Sequence, residues 1–185
     1  FLHYYKKQTL LPKKQTNTMR LEFTTHVHPT SKEDPLLFKA LVIPLVVHPL
    51  GWSHYGYRFR HVDSFTPGGP NPHFDIVLTP GPIMQQKFPE FAKNNLSVCD
   101  VNKHVIYLHE DRWFRNIPDR SQLELPEYRA YLVSHEVGHI LGKGHARCPA
   151  TGGPAPTMVQ QTLGIGKCTP SPWPSKSDAD MAKRY

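Results

Sequence analysis

No stretch of this chain stays apolar for long enough to cross a bilayer. The most apolar run, Leu36 to Leu50, is broken by Lys39, Pro44 and His48 and reads as a buried helix. No internal repeat and no second domain stand out. No signal peptide is visible, and the start at Phe1 rather than Met reads as a processed form or a fragment. No nucleic-acid-binding motif accompanies the net charge of +7. The basic residues are scattered, so a solvated basic surface is expected and nucleic acid is not expected as a partner.

Cysteine is scarce, at three residues: Cys99, Cys148 and Cys168. A disulfide between Cys148 and Cys168 would close a loop around Met158 and imply an oxidising compartment. Three reduced thiols in a cytosolic protein is the alternative. With the bridge formed, Cys99 is odd and free.

What is present suits one soluble domain with a sizeable core: 185 residues, 38% of them hydrophobic and 20% charged. Residues 1 to 18 are polar and basic and read as a tail or linker, and residues 19 to 185 as a single domain. Most of the nineteen prolines fall outside the periodic segments, so extended connections are expected.

The periodic segments mix strands and helices. Residues 20 to 27 read as a first strand. A helix follows, with Asp34 as N-cap and Pro35 at its first position. Its apolar face would be Leu37, Phe38, Leu41 and Leu45, with Pro44 as a kink or early stop. Tyr55 to Val62 and Phe74 to Thr79 read as further strands, and 84 to 94 as a short helix weakened by Pro89. Leu96 to Asp100 and Lys103 to Leu108 read as a hairpin around Val101-Asn102. Leu125 to Leu141 reads as the longest helix, with Pro126 in its first turn. Ala130, Val133, Val137 and Ile140 would face the core, and Tyr128, Leu132, His135 and His139 a cleft.

That last helix carries His135-Glu136-Val137-Gly138-His139-Ile140-Leu141-Gly142-Lys143-Gly144-His145. Residues four apart on a helix project from one face, so His135 and His139 can meet one metal ion. Gly142 can take positive φ and turn the chain so that His145 returns as a third nitrogen ligand. Three neutral imidazoles and a water make a tetrahedral Zn2+ site with one open position, the catalytic type. Glu136 reaches the water without being a ligand. Gly138 costs helix propensity, which a close approach by another segment would explain. The short H-E-x-x-H arises by chance in roughly one such chain in a hundred, and the fixed glycine and third histidine cut that by about three orders of magnitude. His26 and His28 share a strand face but read as surface histidines, with no third ligand near.

The motif H-E-x-x-H-x-x-G-x-x-H resembles that of the metzincin clan of zinc peptidases. A closer likeness runs over about residues 20 to 174. It is carried by Gly51-Trp52, Tyr57-Arg58-Phe59, Asp75-Ile76-Val77-Leu78, Asp111-Arg112-Trp113, Glu127 to Tyr131, Pro156 to Thr162 and Pro170 to Pro174. These look like a family of actinobacterial secreted or membrane-anchored proteins known mainly as a domain of unknown function. The chain is also similar to the small snapalysin-type peptidases, whose third ligand is an aspartate where this chain has His145.

The resemblance implies a metzincin-like α+β fold. Its twisted mixed sheet of about five strands packs on a backing helix and an active-site helix, and an irregular C-terminal subdomain holds a methionine turn at Met158. It implies zinc on His135, His139 and His145, with Glu136 as general base. An extended substrate would lie along an edge strand near Leu96 to Asp100, with Cys99 close to the cleft and its thiol a candidate regulator of the zinc. It also implies a further cysteine ahead of Cys99, which this chain lacks. A tyrosine shortly after the methionine serves several metzincins, and Val159-Gln160-Gln161 offers none.

The expected function is a zinc endopeptidase that hydrolyses protein or peptide substrates with a zinc-activated water. The expected protein is monomeric and secreted or extracytoplasmic, with membrane association only through an N-terminal anchor beyond the sequence. Two alternatives are a zinc-containing binding or adhesion module and a zinc hydrolase of a non-peptide amide.

Overall fold

The computed structural model describes residues 19–66, 69, 73–115 and 121–183. The tail read over residues 1 to 18 lies outside the described residues. The first strand, β1 (Arg20–Val27), alternates as expected, burying Leu21 and Phe23 on one face. It leads to helix α1 (Pro35–Val46), whose N-cap is Asp34, its side chain accepting from Leu36 N at 2.8 Å. Strand β2 (Arg58–His61) returns parallel to β1, and β3 (His73–Thr79) pairs with the other side of β1, also parallel. Helix α2 (Gly81–Lys87) precedes β4 (Val98–Asp100) and β5 (Val105–His109). Strand β5 is parallel to β3, and β4 runs antiparallel to β5, so the sheet order is β2-β1-β3-β5-β4. The result is α+β: a five-stranded, mostly parallel sheet with β4 as an antiparallel edge.

One face of this sheet is sealed. Phe74, Ile76 and Leu78 from β3 and Leu108 from β5 are fully buried, as are Phe38 and Val42 of α1. Each such side chain contributes roughly 1.5–3 kcal/mol by leaving water. Helix α3 (Glu110–Arg115) adds Trp113, packed edge-on to Phe38. Helix α4 (Leu125–Ile140) lies across α1, β4 and β5. The opposite face carries half-buried Glu22, Asp75, Val77 and Tyr107.

After α4 the chain is irregular, with a two-stranded parallel ribbon of β6 (Gly153–Pro154) and β7 (Cys168–Thr169) and a last helix, α5 (Lys176–Asp180). A disulfide joins Cys148 to Cys168, with Cα atoms 5.8 Å apart, and Cys99 is free. No helix among the described residues is long and apolar enough to cross a membrane.

Several expected boundaries shift. The buried stripe of α1 is Phe38, Val42 and Val46, while Leu37 is 51% exposed. The helix is apolar nearly all round, so sequence alone sets no preferred face. Pro44 neither ends nor breaks α1, because it and Ala40, whose carbonyl loses its helical partner, both face solvent. The segment from Tyr55 is not all strand: a 3-10 turn spans Trp52–Tyr55, and Gly56 at φ 90° redirects the chain into β2. Pro89 splits the helix expected over 84 to 94 into α2 and a 3-10 stretch, Pro89–Asn94. The β4–β5 hairpin turns through four residues, Val101 to His104, with His104 at φ 56°.

Candidate metal centre

Helix α4 delivers His135, Glu136 and His139 from adjacent turns. Its end is a Schellman motif: Gly142 sits at φ 81° and donates to His139 O, and Lys143 N donates to Gly138 O at 2.9 Å. This reverses the chain and brings His145 back. One ring nitrogen from each of His135, His139 and His145 lies within 4.8 Å of the others. Among the described residues no other group of three or more histidine, cysteine or acidic side chains converges this way.

Hydrogen bonds fix the rings. His135 Nδ1 donates to Thr157 O at 2.7 Å, and His139 Nδ1 donates to Lys143 O at 2.8 Å. A carbonyl can only accept, so each Nδ1 carries the proton and each Nε2 is left with a lone pair for a ligand bond. Burial holds both imidazoles neutral. It pushes His139 down to about 4, and with neighbouring His139 and His145 it takes His135 well below the ordinary imidazole range.

Glu136 is 4% exposed and its side chain makes no hydrogen bond to any described residue; burial pushes its carboxyl up to about 8. A cation beside three neutral nitrogens would favour the ionised carboxylate, so the donor set and the carboxyl both fit a bound metal ion. The three histidines could hold one such ion.

Met158, fully buried, packs against the ligand-bearing helix. Gly138 lies directly on it: a Cβ at this position would overlap the Met158 sulfur and come within 2.9 Å of Trp52 Cζ2. The glycine that costs helix propensity is thus required by close packing. The Met158 loop also reaches the third ligand, since Met158 O accepts from Ala146 N, next to His145, at 2.8 Å.

A cavity of about 240 Å³ opens on this group between α4 and β4. His135, Glu136, His139 and His145 line it together with Cys99, as expected from the edge position of β4. Burial, with Glu136 next, pushes the Cys99 thiol up, so it stays protonated. Apolar Phe91, Leu96, Val98 and Leu132 supply much of the wall. Tyr128 and Leu132 line it with His135 and His139 as expected, while Ala130, Val133 and Val137 are buried away from it, so the cleft and core sides of α4 separate. His26 and His28 are engaged locally, with Thr24 and Thr30.

The family described as a protein of unknown function, DUF3152, has a model that matches residues 7–174. The chain belongs to the DUF3152 family. No curated protein matches it. The DUF3152 match contains the whole histidine motif, Met158 and both bridged cysteines, so the centre lies within the family's own stretch.

Sequence reasoning missed several residues that build this site. Trp52 donates its Nε1–H to Ser134 O on α4 at 2.8 Å. Tyr131 OH donates to Val159 O and accepts from Gln161 N. Asp178 is fully buried and accepts from Thr157 N and Met158 N, both at 2.9 Å. Only Asp178 left a signal: Ser175-Lys176-Ser177-Asp178 has capping-box spacing, and the box forms.

Proposed function

We propose that this DUF3152 chain is a zinc-dependent endopeptidase of the metzincin type. The observation that carries the reading is the pairing of three convergent neutral imidazoles with a buried, unpartnered Glu136 on the same cavity. The antiparallel edge strand beside the helix, and Met158 packed against Gly138 between the two helical histidines, support the metzincin likeness. His135, His139 and His145 would hold the ion. When bound there, zinc supplies Lewis acidity, which lowers the pKa of water toward neutrality and polarises the carbonyl under attack.

The chain supplies the rest. Glu136 takes the proton from the attacking water, and the same carboxyl passes it to the leaving amine nitrogen as the C–N bond breaks. Strand β4 offers its free edge to an extended peptide through backbone hydrogen bonds. The substrate is a protein or peptide, and the protein acts as a monomer. The Cys148–Cys168 bridge supports an extracytoplasmic setting.

Digestion of casein and of a peptide library tests this. Cleavage should stop with a chelator and return with Zn2+, and Glu136→Ala should lower the rate by about 10²–10⁴-fold. A zinc-loaded chain that cleaves no unstructured protein, with Glu136→Ala indistinguishable from it, defeats the proposal.

A further inference from the structure

The orienting groups of the metal centre all trace to one short C-terminal element. Asp178, on α5, is fully buried, and its carboxylate accepts four hydrogen bonds. Two come from the amides of Thr157 and Met158, at 2.9 Å each, and two from Ser175 N and Ser175 Oγ, at 2.8 and 2.7 Å. The carbonyls of those same two residues face the centre: Thr157 O orients His135, and Met158 O holds Ala146 beside His145. The remaining ligand, His139, is reached by a second route. Lys143 O orients His139, and the buried Lys143 side chain donates its Nζ to Ala179 O at 2.8 Å and Met181 O at 2.7 Å.

We infer that Asp178 is a positioning residue for the metal centre, acting through the Thr157–Met158 loop, and that α5 and its flanks form a clamp joining all three ligands. This rests on the metal-binding part of the proposed function and not on peptidase activity. A carboxylate suits the task because it accepts at both oxygens and donates nothing. Two parallel amides from successive residues fix the rotation of the loop as well as its distance. Asparagine is nearly isosteric but turns an N–H₂ group toward one of the four donors, leaving it unpaired. The Thr157 carbonyl then loses its fixed direction, and His135 with it.

The test is Zn2+ affinity, by competition with a chromophoric chelator, together with the visible absorption spectrum of the Co2+-loaded protein. Asp178→Asn should weaken Zn2+ binding by about ten- to a hundredfold and alter the Co2+ bands. Val42→Ala, which opens the core under α1 and touches none of the orienting hydrogen bonds, should lower the melting temperature yet leave both readouts unchanged. A folded Asp178→Asn variant with parental affinity and spectrum overturns the inference. Should that variant not fold, hydrogen exchange on the parent decides, because coupling is reciprocal. Zn2+ should slow exchange at the Thr157 and Met158 amides and across residues 176 to 181, and unchanged exchange there overturns the inference. A parent that takes up no Zn2+ overturns both this inference and the metal reading. A parent that binds Zn2+, weakens on Asp178→Asn and cleaves no peptide overturns the peptidase reading alone.

Discussion

The two ends of this domain are held by different forces. Between β1 and α4 the structure rests on apolar burial: Phe23, Phe38, Phe74, Ile76 and Leu108 are sealed between the sheet and two helices. Beyond α4 only Leu141 and Met158 still join that core as buried members, and the separate apolar cluster there is small: Ala155, Ile165 and Cys168, with Cys148 against it. Directional bonds take over there. Asp178 gathers four donors, Lys143 binds two carbonyls, the Gln161 side chain bridges to both N–H and C=O of Ser171, and a disulfide closes the loop. The histidines sit on the seam. Apolar burial sets where the helix lies and tolerates small adjustments, whereas hydrogen bonds fix direction, which is what a set of convergent lone pairs requires.

Truncation on either side of the seam should separate these contributions. Phe74→Ala in the sheet should cost about 3–5 kcal/mol in urea unfolding and lower every signal together, because one core supports the whole fold. Replacing Cys148 and Cys168 together by serine should cost less, about 3 kcal/mol for a closed loop of this size. Here the loss should be uneven, with Zn2+ affinity falling at denaturant concentrations where far-UV circular dichroism is still native. Equal loss of both signals in the two variants would erase the distinction.

The smallest effect concerns pH in the chelator-treated protein. Glu136 holds its proton up to about pH 8 when folded but only to about 4.5 when unfolded. The folded chain therefore binds more protons in that window, and stability should rise by about 2 kcal/mol as pH falls from 9 to 6.5. His135 and His139 act in the opposite sense. They gain protons near pH 6.5 when unfolded but only at far lower pH when folded, near 4 for His139, so stability is lost as pH falls below 6.5. Urea midpoints should peak near pH 6 to 6.5, and Glu136→Gln should remove the alkaline limb. A midpoint that climbs steadily to pH 9 contradicts this assignment.

The same division explains what could be read in advance. The ligand set was legible because it is local: His135 and His139 are one helical turn apart, and Gly142 ends the helix by a backbone conformation that glycine favours. The strands were legible wherever one face is buried, as in β3, since burial imposes alternation. The face of α1 was not, because apolar residues all round it leave no direction marked. Asp178 and Lys143 were hidden for another reason. Beyond the local Ser175 cap of Asp178, their partners are main-chain groups 20 to 38 residues away, which carry no side-chain signature. Trp52 was visible as a residue but not as a neighbour of Ser134, 82 positions on.

The packing of Trp52 has an optical consequence. Its indole is buried, donates to the α4 backbone, and fills part of the space left by the absent side chain of Gly138, with the Met158 sulfur in the same recess. Trp173 instead stacks on His48, and Trp113 lies under Arg129. Of the three tryptophans, Trp52 is the fluorophore wedged under the ligand-bearing helix, and its emission is a built-in gauge of how tightly that helix is seated.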